Sequence, residues 1–352
     1  MKYNSFFKLL TFAFVCAFLA TSCVKEGPAG QDGLNGQDGA PGADGNITCL
    51  ECHTNNLILE KEAQFVLSGH RIGEFTLGRE EWSGSCVKCH TPVGFKEFAE
   101  FGEANIIGSS IENTETFDCN TCHGIHEDFE GISDFALRIT SPVVMATDKN
   151  SMMDLNGNSN LCGNCHQART APPTGTEFKI SSTHYGPHHG PQGNVVYGTG
   201  FAEIEGDVAY PAAGSSDHLE MASCIGCHMA PFDSEEIQGG HTYIPSVAAC
   251  NDCHGADLDD YNYGGVQTQV AGLLEEIRDQ LVELGVVEYI EADDAYEPVV
   301  GTYPIIWAQA YFNWIGMEED RSMGVHNPKY VKALLQNTKQ ALEGEIQALA
   351  AN

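Results

Sequence analysis

Cationic side chains are scarce in this chain. Its 352 residues carry 17 Lys and Arg against 49 Asp and Glu, a formal charge of -32. Nucleic acid is therefore not an expected partner, because a phosphate backbone is held by clustered Lys and Arg. The charge suits a soluble body that repels its own copies, or one that docks on basic partners. Membrane-length apolar runs are lacking too: the N-terminal run "LLTFAFVCAFLA" is too short to span a bilayer. Strand-like alternation is sparse, so the fold class expected is mainly α with extensive loops and little β-sheet.

The N-terminus reads as an export signal over residues 1–22, with Lys2 and Lys8 ahead of the apolar run. It ends in "ATSC", which resembles the lipobox of bacterial lipoproteins. That resemblance implies that Cys23 is the lipidated first residue of the mature chain, anchored at the outer membrane on its periplasmic face or at the cell surface. The following "VKEG" resembles a surface-export signal, although residues so close to a tether are often just linker. Cys16 falls in the removed segment. Residues 23–46 then carry "GPAGQDGLNGQDGAPGADG", with glycine at every third position from Gly27 to Gly45. This is the collagen period. With only Pro28 and Pro41 in the run, it reads as an extended tether. The alternative is a stalk that makes the protein an oligomer.

What the chain does have is cysteine. There are 14, and outside Cys16 and Cys23 they fall into six Cys-x-x-Cys-His motifs. The pairs are Cys49 and Cys52, Cys86 and Cys89, Cys119 and Cys122, Cys162 and Cys165, Cys224 and Cys227, and Cys250 and Cys253. This is the attachment motif of c-type haem. Two cysteines three apart share one face of a helical turn, where each forms a thioether to a haem vinyl group. The next residue then aims its imidazole at the iron, so His53, His90, His123, His166, His228 and His254 are the proximal ligands expected. Zinc sites and disulfides are the rival readings. Neither requires histidine after the second cysteine every time. The cofactors expected are six covalently attached haems in a core spanning residues 47–265, where haem replaces much of the usual side-chain core.

Eight histidines remain: His70, His126, His184, His188, His189, His218, His241 and His326. Six haems need at most six distal ligands. If the cluster "HYGPHH" supplies one, then His70, His126, His218, His241 and His326 complete the set. His126 stands three residues beyond His123. On a continuing helix the two imidazoles would occupy neighbouring faces, so His126 would serve another haem. Met221, Met229 and Met323 are alternative distal ligands, with packing the plainer role for each.

The segments "CNTCHGIH", "HYGPHHGPQG", "GGHTYIP" and "DRSMGVHNPKYVKALL" resemble those of multihaem cytochromes c, including the pentahaem nitrite reductases. The resemblance implies that histidines in such segments are distal ligands. Its GPH element points to His188 within the cluster, leaving His184 and His189 as supporting or exposed groups. The nitrite reductases carry a Cys-x-x-Cys-Lys haem with one face open to substrate, and this chain has no such motif.

The C-terminal region, 266–352, reads differently. "VQTQVAGLLEEIRDQLVELG" places Val266, Val270, Leu273, Leu274, Ile277 and Leu281 on one helical stripe. "PIIWAQAYFNWIGMEED" is a second helix, and Asn327 then Pro328 cap a third. That cap would set His326 just ahead of a rigid helix. Trp307, Tyr311, Phe312 and Trp314 read as packing residues, with an electron relay as the sharper alternative.

The function expected is electron transfer along stacked bis-histidine haems. Partners would be other redox proteins: cytochromes, a quinol dehydrogenase or a terminal reductase. The alternative is a reductase of a small oxyanion such as nitrite, which needs one open haem face. A conductive filament is a third reading, opposed by the lipid anchor.

Overall fold

A computed structural model describes residues 56–103, 108–126, 135–255 and 258–351. All of them belong to Ile47–Asn352, one of two units into which the chain divides. Cys23, the glycine run, Cys49, Cys52 and His53 lie outside the described residues.

The fold is mainly α. Strands occur among the described residues only as four two-stranded antiparallel pairs. Trp82 faces Ile111 in the first, and Glu177–Ile180 pairs with Gly301–Pro304 in the third. Sheet is scarce because the motifs demand helical turns. The five described motifs lie on Val87–His90, Cys119–Cys122, Asn160–Gly163, Ser223–His228 and Ala248–His254, or on the turns that flank them. In two of them the histidine N–H donates back to the first cysteine's carbonyl, His123 to Cys119 at 3.0 Å and His166 to Cys162 at 2.9 Å. The i to i+4 bond is what puts both thiols on one face.

Most of the apolar side-chain core lies with the C-terminal helices. Val266–Glu283 buries Val266, Val270, Leu274, Ile277 and Leu281, the expected stripe, with Leu273 packed at its edge. Ile305–Asp320 is apolar nearly all round, and it buries Tyr311, Phe312, Asn313 and Trp314. Such a helix needs neighbours on every side. It finds them in its two companion helices and in Ile180, Val195 and Phe201 from earlier in the chain. Trp307, Tyr311, Phe312 and Trp314 all pack in this cluster, so helix packing is their role. No helix among the described residues is long and apolar enough to cross a membrane.

The third helix, Pro328–Ala350, starts as its sequence predicts. Asn327 accepts from the Tyr330 N–H with its side-chain oxygen, and Pro328 occupies the first turn. The Asn327 amide also donates to the Val196 carbonyl at 3.3 Å. One side chain thus holds the helix start and an adjoining segment. Asn327→Ala is expected to lower stability by about 1–2 kcal/mol, read as a shift of the urea midpoint.

One local expectation is corrected. The helix carrying Cys119 and Cys122 does not continue through His126. His123 is its extended C-cap, and His126 follows at φ 63. His123 instead bridges to Leu137, so the chain leaves the helix as an extended strand segment.

Candidate functional site

The described motifs open on one continuous cavity of about 2060 Å³. Pockets for single small ligands run to roughly 1,000 Å³ at most, so this space suits several large flat groups. Its walls include eight motif cysteines and eleven histidines. None of the ten described motif cysteines is in a disulfide.

The histidines meet in pairs, and each pair joins a motif histidine to one of the others. His70 faces His166 with ring centroids 6.1 Å apart. His188 faces His90 at 6.3 Å, and His241 faces His123 at 6.4 Å. His218 faces His254 at 6.1 Å, and His326 faces His228 at 6.3 Å. A metal bound by two opposed imidazoles lies about 2 Å from each nitrogen, which puts the ring centroids roughly 6 Å apart. All five pairs match that span. Three are near perpendicular: His90 with His188 at 79°, His70 with His166 at 87°, His218 with His254 at 84°. Two are closer to parallel: His123 with His241 at 28° and His228 with His326 at 36°.

The rings are held from behind. His123 Nδ1 lies 2.5 Å from the Phe135 carbonyl, His218 Nδ1 2.6 Å from that of Val325, and His228 Nδ1 2.8 Å from that of Tyr243. A carbonyl only accepts, so Nδ1 carries the proton and Nε2 is left to face the cavity. His166 Nδ1 contacts the Gln192 amide oxygen at 3.2 Å. His326 Nδ1 contacts the Asp320 carboxylate at 2.6 Å. Partners behind a ligand fix its tautomer and orientation in this way.

Six of these imidazoles are also pushed toward the neutral form, the one that ligates metal. Burial, with the neighbouring His166, lowers His70 to about 4. Burial and then Arg169 lower His188 to about 4. Burial lowers His90, His166, His228 and His241 as well. His326 departs from this: burial pulls it down, and the Asp320 carboxylate more than offsets that.

Local chemistry positions the non-motif histidines. His70 sits on the short helix Gly69–Ile72, capped by the Ser68 side chain at one end and by left-handed Gly73 at the other. His188 adopts φ 77 between Pro187 and His189, a strained value for a non-glycine residue. The Arg169 N–H holds the Pro187 carbonyl at 2.9 Å. His184 is exposed. His189 is exposed and pairs with Glu319, 2.7 Å away, on the cavity wall. Met323 packs on the apolar core, and Met221 is exposed.

The motifs themselves touch. Cys224 Sγ lies 4.0 Å from the carbonyl of Ser159, the N-cap of the helix Asn160–Gly163. Cys89 Sγ also approaches the Asn164 carbonyl at 3.9 Å, and Cys165 Sγ the Lys88 carbonyl at 4.0 Å. The motif of His166 is therefore wedged between those of His90 and His228. Among the described residues no three His, Cys, Asp or Glu side chains converge on one point, as a zinc site would need. The residues present instead fit covalently held haem: paired thiols, opposed neutral imidazoles and a large apolar cleft between them.

Several site residues carry no motif. Asp320, Gln192 and Arg169 are among them, and so are two aromatic rings on motif histidines. Trp82 stacks on His90 with centroids 4.0 Å apart and planes at 8°. Tyr263 lies 4.0 Å from His254. Only the nearness of Trp82 to Cys86 in "EEWSGSC" offered a signal.

No family model matches the chain, and no curated protein matches it. Among solved structures it is similar to the crystal structure of outer cell wall cytochrome OcwA, with a TM-score of 0.52 and 18% identity over 80% of this chain. The likeness is one of fold, and this chain spans 50% of that one's length.

Proposed function

We propose that the chain is a multihaem c-type cytochrome that carries electrons. The observation that supports this best is the set of five histidine pairs at 6.1–6.4 Å around one cavity, each pair including a Cys-x-x-Cys-His histidine. In this reading His90, His123, His166, His228 and His254 are proximal ligands. Their distal partners are His188, His241, His70, His326 and His218 in that order. His53 and His126 are the remaining proximal and distal residues, which makes six haems with Cys49 and Cys52 holding the sixth. Each haem supplies a one-electron couple when bound. The protein's part is to close both faces of the iron with imidazole, hold those rings from behind, and line the cleft with apolar surface.

Closed faces favour a carrier over a reductase, which needs a coordination position for substrate. The anchor at Cys23 and the glycine-ruled tether would hold the carrier at the outer membrane, where it would exchange electrons with other redox proteins. Its acidic surface suits basic partners.

Low-temperature EPR of the oxidised protein tests the reading. The expected result is low-spin iron throughout, in two line classes, because the angle between axial imidazole planes sets the g-anisotropy. Centres at 79–87° belong to the highly anisotropic class and those at 28–36° to the rhombic one. High-spin iron that binds nitrite in the unmodified protein would refute the carrier. His188→Ala is expected to create one high-spin haem, and His189→Ala none. The reverse would remove His188 from the ligand set.

A further inference from the structure

Two of the five centres stand in opposite electrostatic surroundings. At His326, Asp320 is 3% exposed and ends the helix Ile305–Asp320. One carboxylate oxygen accepts from His326 Nδ1 at 2.6 Å, and the other accepts from the Ser322 hydroxyl. The Nδ1 partners of His123, His166, His218 and His228 are neutral carbonyl or amide oxygens. Asp320 is the only carboxylate behind any of these ten rings among the described residues. The nearest cations in the chain, Arg321 and Lys329, are exposed, and Lys329 is tied to Asp217 at 2.8 Å. A carboxylate hydrogen-bonded to a ligating imidazole makes it a stronger donor. In a buried setting its charge also acts with little screening. Both effects favour ferric iron.

At His90 and His188 the sign is reversed. The Arg169 backbone N–H binds Pro187, next to His188, and its guanidinium donates to Ser85, next to Cys86, at 2.8 Å. This permanently charged group therefore lies beside the centre, on the wall of the same cavity. Lys88, inside the motif, is 9% exposed, with its ammonium 3.9 Å from the Phe98 ring centroid. Arg79 lies 4.9 Å from the centroid of Trp82, which itself stacks on His90. None of these three has a carboxylate within ion-pair distance among the described residues. Of the acids near the centre, Glu103 is engaged with Lys149 at 2.5 Å and Glu319 with His189 at 2.7 Å. Unpaired cations favour ferrous iron.

The motif of His166 touches both others: Cys165 Sγ lies 4.0 Å from the Lys88 carbonyl and Cys89 Sγ 3.9 Å from that of Asn164, while Cys224 Sγ lies 4.0 Å from the Ser159 carbonyl at the head of its helix. Resting on the haem ligation proposed above, we infer that Asp320 makes the His228–His326 centre the low-potential end of this three-centre run, and that Arg169 and Lys88 make the His90–His188 centre its high-potential end. An electron passing from the first to the second runs downhill. One ferrous iron becomes ferric, one ferric iron becomes ferrous, and neither a proton nor another reactant is consumed.

Potentiometric titration of the full-length holoprotein, followed by EPR, tests this. The two ends are told apart by line class, since their ring planes meet at 36° and 79°. Asp320→Asn should raise the His228–His326 potential by a factor of about ten in the redox equilibrium, or ~59 mV, leaving the other end in place. Arg169→Gln should lower the His90–His188 potential by a similar factor. Should Asp320→Asn not fold, Ser322→Ala serves instead. It removes a hydrogen bond that competes for the carboxylate, and so should shift the same centre downward. Unmoved potentials in these variants, or a reversed order in the wild type, would overturn the inference. Loss of the low-spin signals from the wild type would instead sink the haem ligation on which it rests.

Discussion

Replacing Cys162 and Cys165 together by serine is expected to remove one haem's mass and to part the motif of His90 from that of His228. Both neighbouring contacts run through this motif: Cys89 Sγ lies 3.9 Å from the Asn164 carbonyl, and Cys224 Sγ 4.0 Å from that of Ser159 at the head of its helix. Gly163 and Gly193 also lie where neighbouring atoms press close. A side chain added at Gly163 would stand 2.5 Å from Leu155, and one at Gly193 would stand 2.7 Å from the His166 carbonyl. A group held covalently at this point braces everything around it, so its removal should lower stability by about 3–5 kcal/mol, as deleting a large buried side chain does. Intact mass would report the missing haem, and the EPR line of the 87° pair should vanish with it. Electrons delivered at one end of the run should no longer equilibrate quickly with the other. An unchanged mass, or rapid equilibration in the variant, would show that this motif is not the link.

The second large effect belongs to the scaffold. Asn313 is fully buried in the middle of the helix Ile305–Asp320. Its amide donates to the Ala202 carbonyl at 2.8 Å and to the Thr338 hydroxyl at 3.0 Å, and its oxygen accepts from the Ala202 N–H at 2.9 Å. It therefore satisfies both backbone groups of a buried residue that has no helix or strand to do so. Asn313→Leu keeps the volume and strands the Ala202 N–H, while the Ala202 carbonyl keeps the Ile204 N–H at 2.9 Å. The orphaned N–H costs about 1–3 kcal/mol and the lost carbonyl bond about 1 kcal/mol, so a loss of about 2–4 kcal/mol is expected. Thr338→Val removes only one of the three bonds and should cost about 1 kcal/mol. Urea unfolding of the two variants, at unchanged haem content, compares them. Equal losses would mean that the Ala202 pairing contributes little.

These two variants also mark where sequence reading reaches and where it stops. The helix Ile305–Asp320 was legible as a helix. That Asn313 would hold Ala202, 111 residues away, was not, because a lone asparagine in an apolar stretch carries no sign of its partner. The five described Cys-x-x-Cys-His motifs, the stripe from Val266 to Leu281 and the Asn327 cap were legible because each is decided within a few turns of one helix. His126 marks the limit of that logic even locally. The helix ahead of it ends at His123, and Cys-x-x-Cys-His spacing does not encode where a helix stops.

The histidines divide along the same line. Sequence alone determined which imidazoles were candidates, since it lists six behind a Cys-x-x-Cys pair and eight that are not. Only the tertiary structure decided that His70 meets His166 and that His326 meets His228. Those contacts join residues roughly 100 positions apart, and chain separation carries no periodicity to read. The same holds for the charges. Net acidity is a sum over the sequence, but the placing of Asp320 behind one ring and Arg169 beside another depends on loop geometry. A potential falls off with distance in space, and distance in space is what folding sets.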